Sequence, residues 1–303
     1  MQHTLRSSFT LKSKGLHTGL DLTATFHPAP ADSGLRLQRI DLPERPVIEA
    51  LAENVVDTSR GTVVANGDVR VSTIEHAMAA LYAAGVDNCL VQLDGPEMPI
   101  LDGSSRYFMQ YIRQVGTENQ GVPRRYLTLG EPVNYMDEQS GSRLTMVPAA
   151  DFSIEATIEF PSRFIQSQTA RLDRMEDFDE EIAQARTFVF VREIEPLLQM
   201  GLIKGGDLDN AIVIYEHQVT QERLDYLADK LGVPHRNAAE LGYINARPLA
   251  WPNEPARHKL LDIVGDMALV GRRLRGHITA LRPGHTANNK LARMLRERVT
   301  SGE

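Results

Sequence analysis

Cysteine is nearly absent from this sequence, in which Cys89 is the only one among 303 residues. A single cysteine excludes an intramolecular disulfide bond and any zinc finger built from several cysteines, and it is compatible with a reducing compartment. Long apolar runs are missing too, since none approaches the roughly 18 residues that a membrane-spanning helix needs. Residues 1–9 are polar and lack the apolar core of a signal peptide. We therefore expect a cytoplasmic protein with no stable membrane insertion.

The sequence also has little positive charge. Lys and Arg number 33 against 40 Asp and Glu, which gives a net charge of −7. This balance argues against nucleic-acid binding, and any anionic ligand would require locally gathered Lys and Arg. Hydrophobic residues make up 42% of the chain, as in ordinary globular proteins, and 303 residues is near the size at which one core divides into two domains.

Residues 1–116 carry the pattern of an α+β domain. Apolar and polar residues alternate over Leu20–Phe26, a period of two that predicts a half-buried strand. A further strand is predicted at Cys89–Leu93. Before it the sequence predicts a helix over residues 72–84, ended by a glycine, and after it a helix from Asp102 to Arg113.

A second α+β domain is predicted over residues 126–303, after a linker at 117–125 that is polar and contains glycine and proline. Its clearest strand is Phe152–Phe160. The other predicted elements are helices near 178–186 and 258–273, a strand at His277–Leu281 and a helix from Asn288. Because both domains run strands, helix, strand and helix, the sequence suggests a weak structural repeat.

Two insertions interrupt the second domain. The first, near residues 188–214, carries apolar side chains at helical spacing, namely Ile194, Leu197, Leu198 and Leu202. The second, near residues 217–253, is charged and helix-prone. We expect it to be an exposed excursion rather than part of the core.

Two short segments carry the strongest chemical signal. In a helix, His258 and Asp262 lie at i and i+4, so their side chains share one face and can bind one ion. His76, far away in sequence, would supply a third ligand, with Glu75 beside it free to act as a base. Two nitrogens, one carboxylate and an open position are typical of a catalytic rather than a structural zinc site. Asp266 extends the polar face by one turn.

Each of these residues also has a structural interpretation. Ser72-Thr73-Ile74-Glu75 matches a capping box, in which the Glu75 carboxylate only accepts a hydrogen bond from a backbone N–H. His258 and Asp262 would then pair with each other, and their helix face would point to solvent. Either interpretation is open on the local sequence alone.

Three further candidates are weaker. His285 lies where a strand ends and a helix begins, as catalytic groups on loops do, or as a turn histidine bonded to backbone would. His277 lies beside a cluster that would complement a helix C-terminus, formed by Arg272, Arg273 and Arg275. Nothing near Thr187 distinguishes a structural hydroxyl from a functional one.

Taken together, six segments resemble one family, the zinc-dependent UDP-3-O-acyl-N-acetylglucosamine deacetylases of Gram-negative lipid A synthesis. They occur in the order of the family and span nearly the whole chain: Gly15–Gly19, Val71–His76, Pro96–Ser104, Ala185–Phe188, His258–Asp266 and Gly284–Lys290. The resemblance implies two domains of similar α+β topology, with helices sandwiched between two sheets and the active site at the domain interface.

The resemblance also implies residue roles. Zinc, or iron(II) in its place, would be held by His76, His258 and Asp262. Glu75 would be the general base, and His285, supported by Asp266, would be the charged partner of the oxyanion and the leaving group. Thr187 would donate its hydroxyl to the tetrahedral intermediate. Either His285 or protonated Glu75 would be the acid that protonates the amine.

Substrate contacts follow from the same resemblance. Lys259 would help hold the sugar nucleotide, Phe160 and Phe188 would flank its sugar or uracil end, and His17 belongs to a motif near the site. Leu198 and Leu202 would line an apolar passage for the acyl chain, in which each buried CH₂ contributes about 0.8 kcal/mol.

The implied reaction is removal of the N-acetyl group from UDP-3-O-(3-hydroxyacyl)-N-acetylglucosamine, a UDP-linked acylated glucosamine, by a monomer. Alternatives are a zinc amidohydrolase acting on another N-acetylated sugar, and a non-catalytic sugar-nucleotide binding module. Two features depart from the family pattern: Val189 replaces a common glycine, and the excursion is longer than usual. Some relatives carry a fused hydroxyacyl dehydratase domain, so the chain, which ends at Glu303, is expected to be either a separate enzyme or part of such a fusion.

Overall fold

The computed structural model describes residues 1–301, which form nineteen β-strands and seven α-helices. The strands are β1 (His3–Leu5), β2 (Phe9–Lys14), β3 (Asp21–Pro28), β4 (Leu35–Arg39), β5 (Val47–Glu49), β6 (Val55–Asp57), β7 (Val63–Asn66), β8 (Val69–Val71), β9 (Cys89–Leu93), β10 (Thr117–Asn119), β11 (Tyr126–Thr128), β12 (Val133–Asp137), β13 (Ser142–Val147), β14 (Phe152–Glu159), β15 (Ser167–Leu172), β16 (Phe188–Phe190), β17 (Ile212–Tyr215), β18 (Gly242–Ile244) and β19 (Arg273–Leu281). The helices are α1 (Glu75–Ala83), α2 (Arg106–Val115), α3 (Phe178–Glu181), α4 (Val191–Gln199), α5 (Gln221–Leu231), α6 (Glu254–Ala268) and α7 (His285–Ser301).

Two large sheets share one topology. The first has the strand order β2-β3-β9-β4-β5, and the second has the order β12-β13-β19-β14-β15, with β11 added beside β19. In both sheets the central pair, β9 with β4 and β19 with β14, is parallel, and the other pairs along these orders are antiparallel. Helices α1 and α6 precede the equivalent strands β9 and β19, and α2 and α7 follow them. The predicted structural repeat is therefore confirmed.

The helices form the layer between the two sheets. Helix α1 packs along α6, which also lies against β14 and β15, while α7 lies against β12 and β13. The approach of α1 to α6 is closest at Gly265, where an added Cβ would lie 2.2 Å from the Glu75 carbonyl oxygen. Small buried residues on α1, Ala77, Ala79 and Ala80, also keep its diameter low. The predicted α+β fold with helices sandwiched between two sheets is confirmed.

Several helix boundaries differ from those predicted. Helix α1 begins at Glu75 rather than Ser72, because Thr73 has a φ of 57°, in the left-handed region that helix residues do not adopt. Helix α3 ends after Glu181, well before the predicted end at residue 186. Helix α6 is displaced toward the N-terminus of the predicted range, since Pro255 favours its first turn and β19 already begins at Arg273.

The two insertions form one small subdomain. Strands β16, β17 and β18 make a three-stranded sheet, on which α4 and α5 share a core separate from the main one. The excursion was predicted to be exposed, and this prediction is wrong for α5, whose Leu224 and Leu227 are buried. The reason is that the leucine stripe of α5 faces the apolar side of the first insertion rather than solvent.

The segment predicted as a linker is partly ordered by pairing. Its first three residues form β10, which pairs with β1 in an antiparallel ladder. The domain boundaries at residues 116 and 126 stay a prediction. Among residues 1–301, no helix is long and apolar enough to span a membrane.

Candidate metal centre and substrate cavity

Three buried side chains from α1 and α6 converge on one point. Ligand atoms of His76, His258 and Asp262 all lie within 4.8 Å of one another. The Asp262 Oδ1 is 3.5 Å from the His258 Nε2 and 4.0 Å from the His76 Nε2. The i, i+4 spacing places His258 and Asp262 on one face of α6, as predicted, and the packing of α1 on α6 brings His76 to the same place.

Their hydrogen bonds leave the converging atoms free. The His258 Nδ1 lies 3.0 Å from the Ala185 carbonyl oxygen, so it donates its proton there and leaves a lone pair on Nε2. The Asp262 Oδ2 accepts a bond from the Lys259 ammonium at 2.8 Å, whereas Oδ1 is buried without a hydrogen-bond partner. A buried carboxylate oxygen without a donor is costly unless a cation pairs with it. Two imidazole nitrogens and one carboxylate suit zinc, and also iron(II), so this donor set fits the expected metal.

Burial and neighbouring charges together set the charge states of His76, His258 and Asp262. It lowers the pKa of His76 to about 3, with further lowering by the neighbouring His258. Burial also lowers the pKa of His258. For Asp262, burial alone would raise the pKa, but the Lys259 ammonium and nearby imidazoles outweigh it, and the pKa is lowered. Neutral imidazoles and an ionised carboxylate are the forms that bind a metal ion.

Glu75 lies at the first position of α1, facing the same centre. Its Oε2 accepts a hydrogen bond from the Thr62 backbone N–H at 3.0 Å. The capping interpretation is wrong, because the helix starts at Glu75 itself, with Ile74 as its N-cap and no side-chain cap bond. Burial raises the pKa of Glu75 to about 7, helped by Asp262 and opposed by His285. Glu75 can therefore both take up and release a proton near neutral pH.

His285 faces Glu75 across this centre. It is the first residue of α7, and its Nε2 lies 3.9 Å from the Glu75 Oε1 and 3.7 Å from the Asp262 Oδ2. Burial by itself lowers the pKa of His285, but the carboxylates of Asp266 and Asp262 outweigh it and raise the pKa to about 9. A protonated imidazole thus stands opposite a carboxylate that can exchange a proton.

Asp266 fixes the other face of the His285 ring. The Asp266 Oδ2 lies 3.0 Å from the His285 Nδ1 and accepts a bond from the Asn288 amide at 2.9 Å. Its Oδ1 accepts a bond from the Thr62 hydroxyl at 2.5 Å. The resemblance implied that Asp266 supports His285, whereas Thr62 was missed because it lies outside every periodic segment and every family-like motif.

A cavity of about 210 Å³ opens from these polar groups. Four more of the predicted site residues line it, namely His17, Thr187, Phe188 and Lys259. The insertions supply a largely apolar part of its walls, with Glu193 and Asp207 as the charged exceptions: Ile194, Leu197, Ile203, Leu208, Ala211, Val213, Leu231 and Val233. Val189, where the resemblance implied glycine, is also a lining residue. One cavity therefore joins the candidate metal centre to an apolar arm.

Three predicted substrate contacts lie outside this lining. Phe160 packs edge-on against Phe188, with ring centroids 5.7 Å apart, and so supports a cavity wall from behind. Leu198 and Leu202 are half-buried and pack against the core of the insertions, while Leu197 and Ile203 reach the cavity. For Leu197 and Leu198 the helical phase of α4 explains the difference, because neighbouring positions on a helix point about 100° apart.

Two buried carboxylates that the sequence analysis passed over organise the cavity walls. Glu97 accepts bonds from the backbone N–H groups of His17 and Thr18, both at 2.9 Å, and from the Thr73 hydroxyl at 3.1 Å. Glu254 pairs with the buried Arg186, with Nε and Oε1 2.8 Å apart, and thereby anchors the residue before Thr187. Their only sequence signal is a charged residue within or beside an otherwise apolar motif.

One arginine of the cluster near His277, Arg273, does bind the C-terminal end of a helix, but not of the helix that precedes it. Arg273 donates to the carbonyl oxygens of Tyr82 and Val86, at the C-terminal end of α1. His277 itself lies 2.8 Å from the Ser153 hydroxyl on the neighbouring strand. Both therefore have structural partners outside the cavity.

Comparison with known proteins agrees with this geometry. The family model described as UDP-3-O-acyl N-acetylglycosamine deacetylase, LpxC, matches residues 2–231 and 237–297. The bifunctional enzyme LpxC/FabZ of Bacteroides thetaiotaomicron is 56% identical over 98% of this chain and 65% of its own length. The corresponding enzyme of Porphyromonas gingivalis is 53% identical over 100% of this chain and 65% of its own length.

The chain thus spans about 65% of these two relatives. A UDP-3-O-acyl-N-acetylglucosamine deacetylase of Myxococcus xanthus is 42% identical over 96% of this chain and 85% of its own length. Because the family match covers both sheets and both helices that carry the converging side chains, the chain belongs to the UDP-3-O-acyl N-acetylglycosamine deacetylase family.

Proposed function

We propose that this protein is a zinc-dependent hydrolase that removes the N-acetyl group from UDP-3-O-(3-hydroxyacyl)-N-acetylglucosamine. The products are acetate and the free amine, and the reaction belongs to lipid A biosynthesis in the cytoplasm. The description of the matching family and the name of the Myxococcus xanthus relative support a UDP-3-O-acyl-N-acetylglucosamine substrate. The observation that carries the proposal is a single cavity in which a metal-ligand set, a carboxylate and a protonated imidazole stand beside an apolar arm.

His76, His258 and Asp262 would hold the metal, with zinc as the first choice and iron(II) as the alternative. When bound, zinc polarises a carbonyl group and lowers the pKa of water to about 7. The protein contributes a rigid site, because both ligand-bearing helices are buried between the sheets.

Glu75 acts as the general base. Its carboxylate removes a proton from the attacking water as the oxygen of that water bonds to the acetamide carbon, a role worth roughly 10²–10⁴ in rate. The Thr62 N–H keeps one carboxylate oxygen fixed, so the other faces the reacting atoms. The pKa of about 7 matches this task, because the group accepts and returns a proton at little cost.

His285 and Thr187 stabilise the negative charge that develops on the carbonyl oxygen. The His285 imidazolium, held by Asp266, provides a positive charge, and the Thr187 hydroxyl provides a donor on the cavity wall. Breaking the C–N bond then requires a proton on the amine. Protonated Glu75 and the His285 imidazolium can each supply this proton, because the two side chains lie close together.

The rest of the cavity positions the substrate. Lys259 lies with its ammonium 5.5 Å from the centre of the Phe188 ring, and together they offer a cation and an aromatic face to the sugar nucleotide. His17 lines the same cavity, and Phe160 supports Phe188. The apolar arm receives the acyl chain, where each buried CH₂ contributes about 0.8 kcal/mol.

Metal analysis of the purified protein, together with acetate release from the acylated sugar nucleotide, tests the proposal. Glu75→Gln should lower turnover by roughly 10²–10⁴ while leaving the metal content intact. Glu180→Gln, at an exposed carboxylate, is the matched control and should leave both unchanged. Full activity of Glu75→Gln would remove the assigned base. Equal turnover of free N-acetylglucosamine would remove the proposed substrate.

A further inference from the structure

A second apolar chamber of about 50 Å³ adjoins the apolar arm of the main cavity. The two spaces share five lining side chains, namely Ile194, Leu208, Val213, Leu231 and Val233. These shared side chains place the chamber directly against the arm. The chamber lies against α5, which supplies Leu224, Leu227, Ala228 and Leu231 to its lining.

The chemistry of the chamber selects its occupant. Apart from Arg236, which is exposed, its walls are apolar and include Leu227 and Ala228 of α5. A small space without polar partners does not hold water well, and it favours hydrocarbon. No charged or hydrogen-bonding part of a sugar nucleotide would find a partner there. An aliphatic chain that enters from the main cavity would pack against these apolar walls.

The chamber depends on the excursion. Helix α5 forms one wall, and the residues directly after it contribute Val233 and Arg236. These two residues lie in 232–236, the stretch between the two ranges that the family model matches. The chamber wall therefore combines α5, which lies inside the first matched range, with a short stretch after it that the family model does not match.

We propose that the excursion forms the distal end of the acyl passage, and that α5 sets the length of acyl chain the protein accepts. The proposal rests on the proposed function, since the occupant is the end of the 3-O-acyl chain. Ala228 is the sensitive position, because it is a small buried residue on the chamber side of α5. Each methylene excluded from an apolar site lowers binding about fourfold.

The test uses Ala228→Leu, which fills the chamber, and Leu227→Ala, which enlarges it. Tyr226→Ala changes an exposed side chain of the same helix and is the matched control. For each variant, kcat/KM would be measured with UDP-linked substrates whose acyl chains differ in length. Displacement of a fluorescent long-chain fatty acid, competed by fatty acids of graded length, gives a second readout that does not depend on turnover.

Ala228→Leu should lower kcat/KM at least tenfold for long chains while short chains react as before, and Leu227→Ala should favour chains longer than those of the unaltered protein. In the displacement assay the same variants should shift the preferred length in the same direction. An equal change at every chain length, or a length preference that no variant alters, would overturn the proposal. If fatty acids bind with the expected dependence but no substrate releases acetate, the proposed function fails and the chamber stands.

Discussion

Replacement of Gly265 by alanine tests whether the spacing of α1 and α6 controls the metal centre. At Gly265 an added Cβ would lie 2.2 Å from the Glu75 carbonyl oxygen and 2.9 Å from its carbonyl carbon. Both are backbone atoms of α1, so no side chain can rotate away to make room. The helices must move apart instead.

The magnitude follows from these distances. Ordinary van der Waals contact of a Cβ begins at 3.4 Å, so the local separation must grow by about 1 Å. Overpacking of this kind costs about 1–3 kcal/mol, while alanine gains up to about 1 kcal/mol over glycine within a helix. We expect a net loss of stability of about 0–2 kcal/mol. Activity should suffer more, about 10²-fold, because His76 moves relative to His258 and Asp262 by more than metal ligands tolerate.

Urea unfolding, metal content and acetate release would be measured on Gly265→Ala and on Gly130→Ala. Gly130 is the control because an added Cβ meets no atom within 4 Å there. For Gly130→Ala, stability, metal content and acetate release should all stay near those of the unaltered protein. Activity and metal content within threefold of the unaltered protein for Gly265→Ala would refute the reasoning. The α1–α6 spacing would then not limit the geometry of the centre.

Two further substitutions address single contacts. Thr62→Val removes the hydroxyl that donates a hydrogen bond to Asp266 at 2.5 Å. We expect kcat to fall with little change in KM, and the free energy of unfolding to fall by about 1.5–3 kcal/mol. Thr62→Ser should restore both kcat and the free energy of unfolding. Glu254→Gln leaves the buried Arg186 unpaired and should cost about 3–5 kcal/mol in urea unfolding. Asp179→Asn, which breaks a pair with a largely exposed arginine, should cost less than about 1 kcal/mol, and similar losses for the two would contradict the buried-pair argument.

Local patterns predicted most of the sheet and helix framework. The alternation of Phe152–Phe160 and the short apolar run Cys89–Leu93 correspond to β14 and β9, because half-buried and buried strands leave a direct imprint on the order of residues. The ends of helices were harder. Thr73 adopts a positive φ that no propensity favours, and only the surrounding structure holds it there, so the pattern extended α1 too far.

The candidate site divides in the same way. His258 and Asp262 could be predicted to face one another because their spacing is local to a helix. The position of His76 beside them could not be derived from spacing, so the sequence offered it only as a candidate third ligand and the resemblance to a family supported it. Thr62 and Glu97 were missed because each acts through contacts more than ten residues away, and the motif around Glu97 does not show what its carboxylate binds.

The repeat accounts for where the two wall-forming insertions lie. In the first repeat, the small sheet of β6, β7 and β8 lies between β5 and α1, and in the second, the subdomain of β16, β17 and β18 lies between β15 and α6. These are equivalent points of one topology, directly before the helix that carries site residues. Insertions at both points lie beside the same contact between α1 and α6. Ser59 and Arg60 from the first, and Thr187 and Phe188 at the start of the second, accordingly line one cavity.

This arrangement separates two tasks within one chain. The paired helices hold the buried groups that require fixed distances, and their sequences tolerate little change where they cross at Gly265. The insertions supply the walls, and their sequences can vary in length without disturbing that crossing. Residues that set substrate preference should therefore concentrate in the insertions, and residues that set metal affinity should concentrate on α1 and α6. Substitutions at Ala228 and at Gly265 probe these two tasks independently, since their sites have no lining side chain in common.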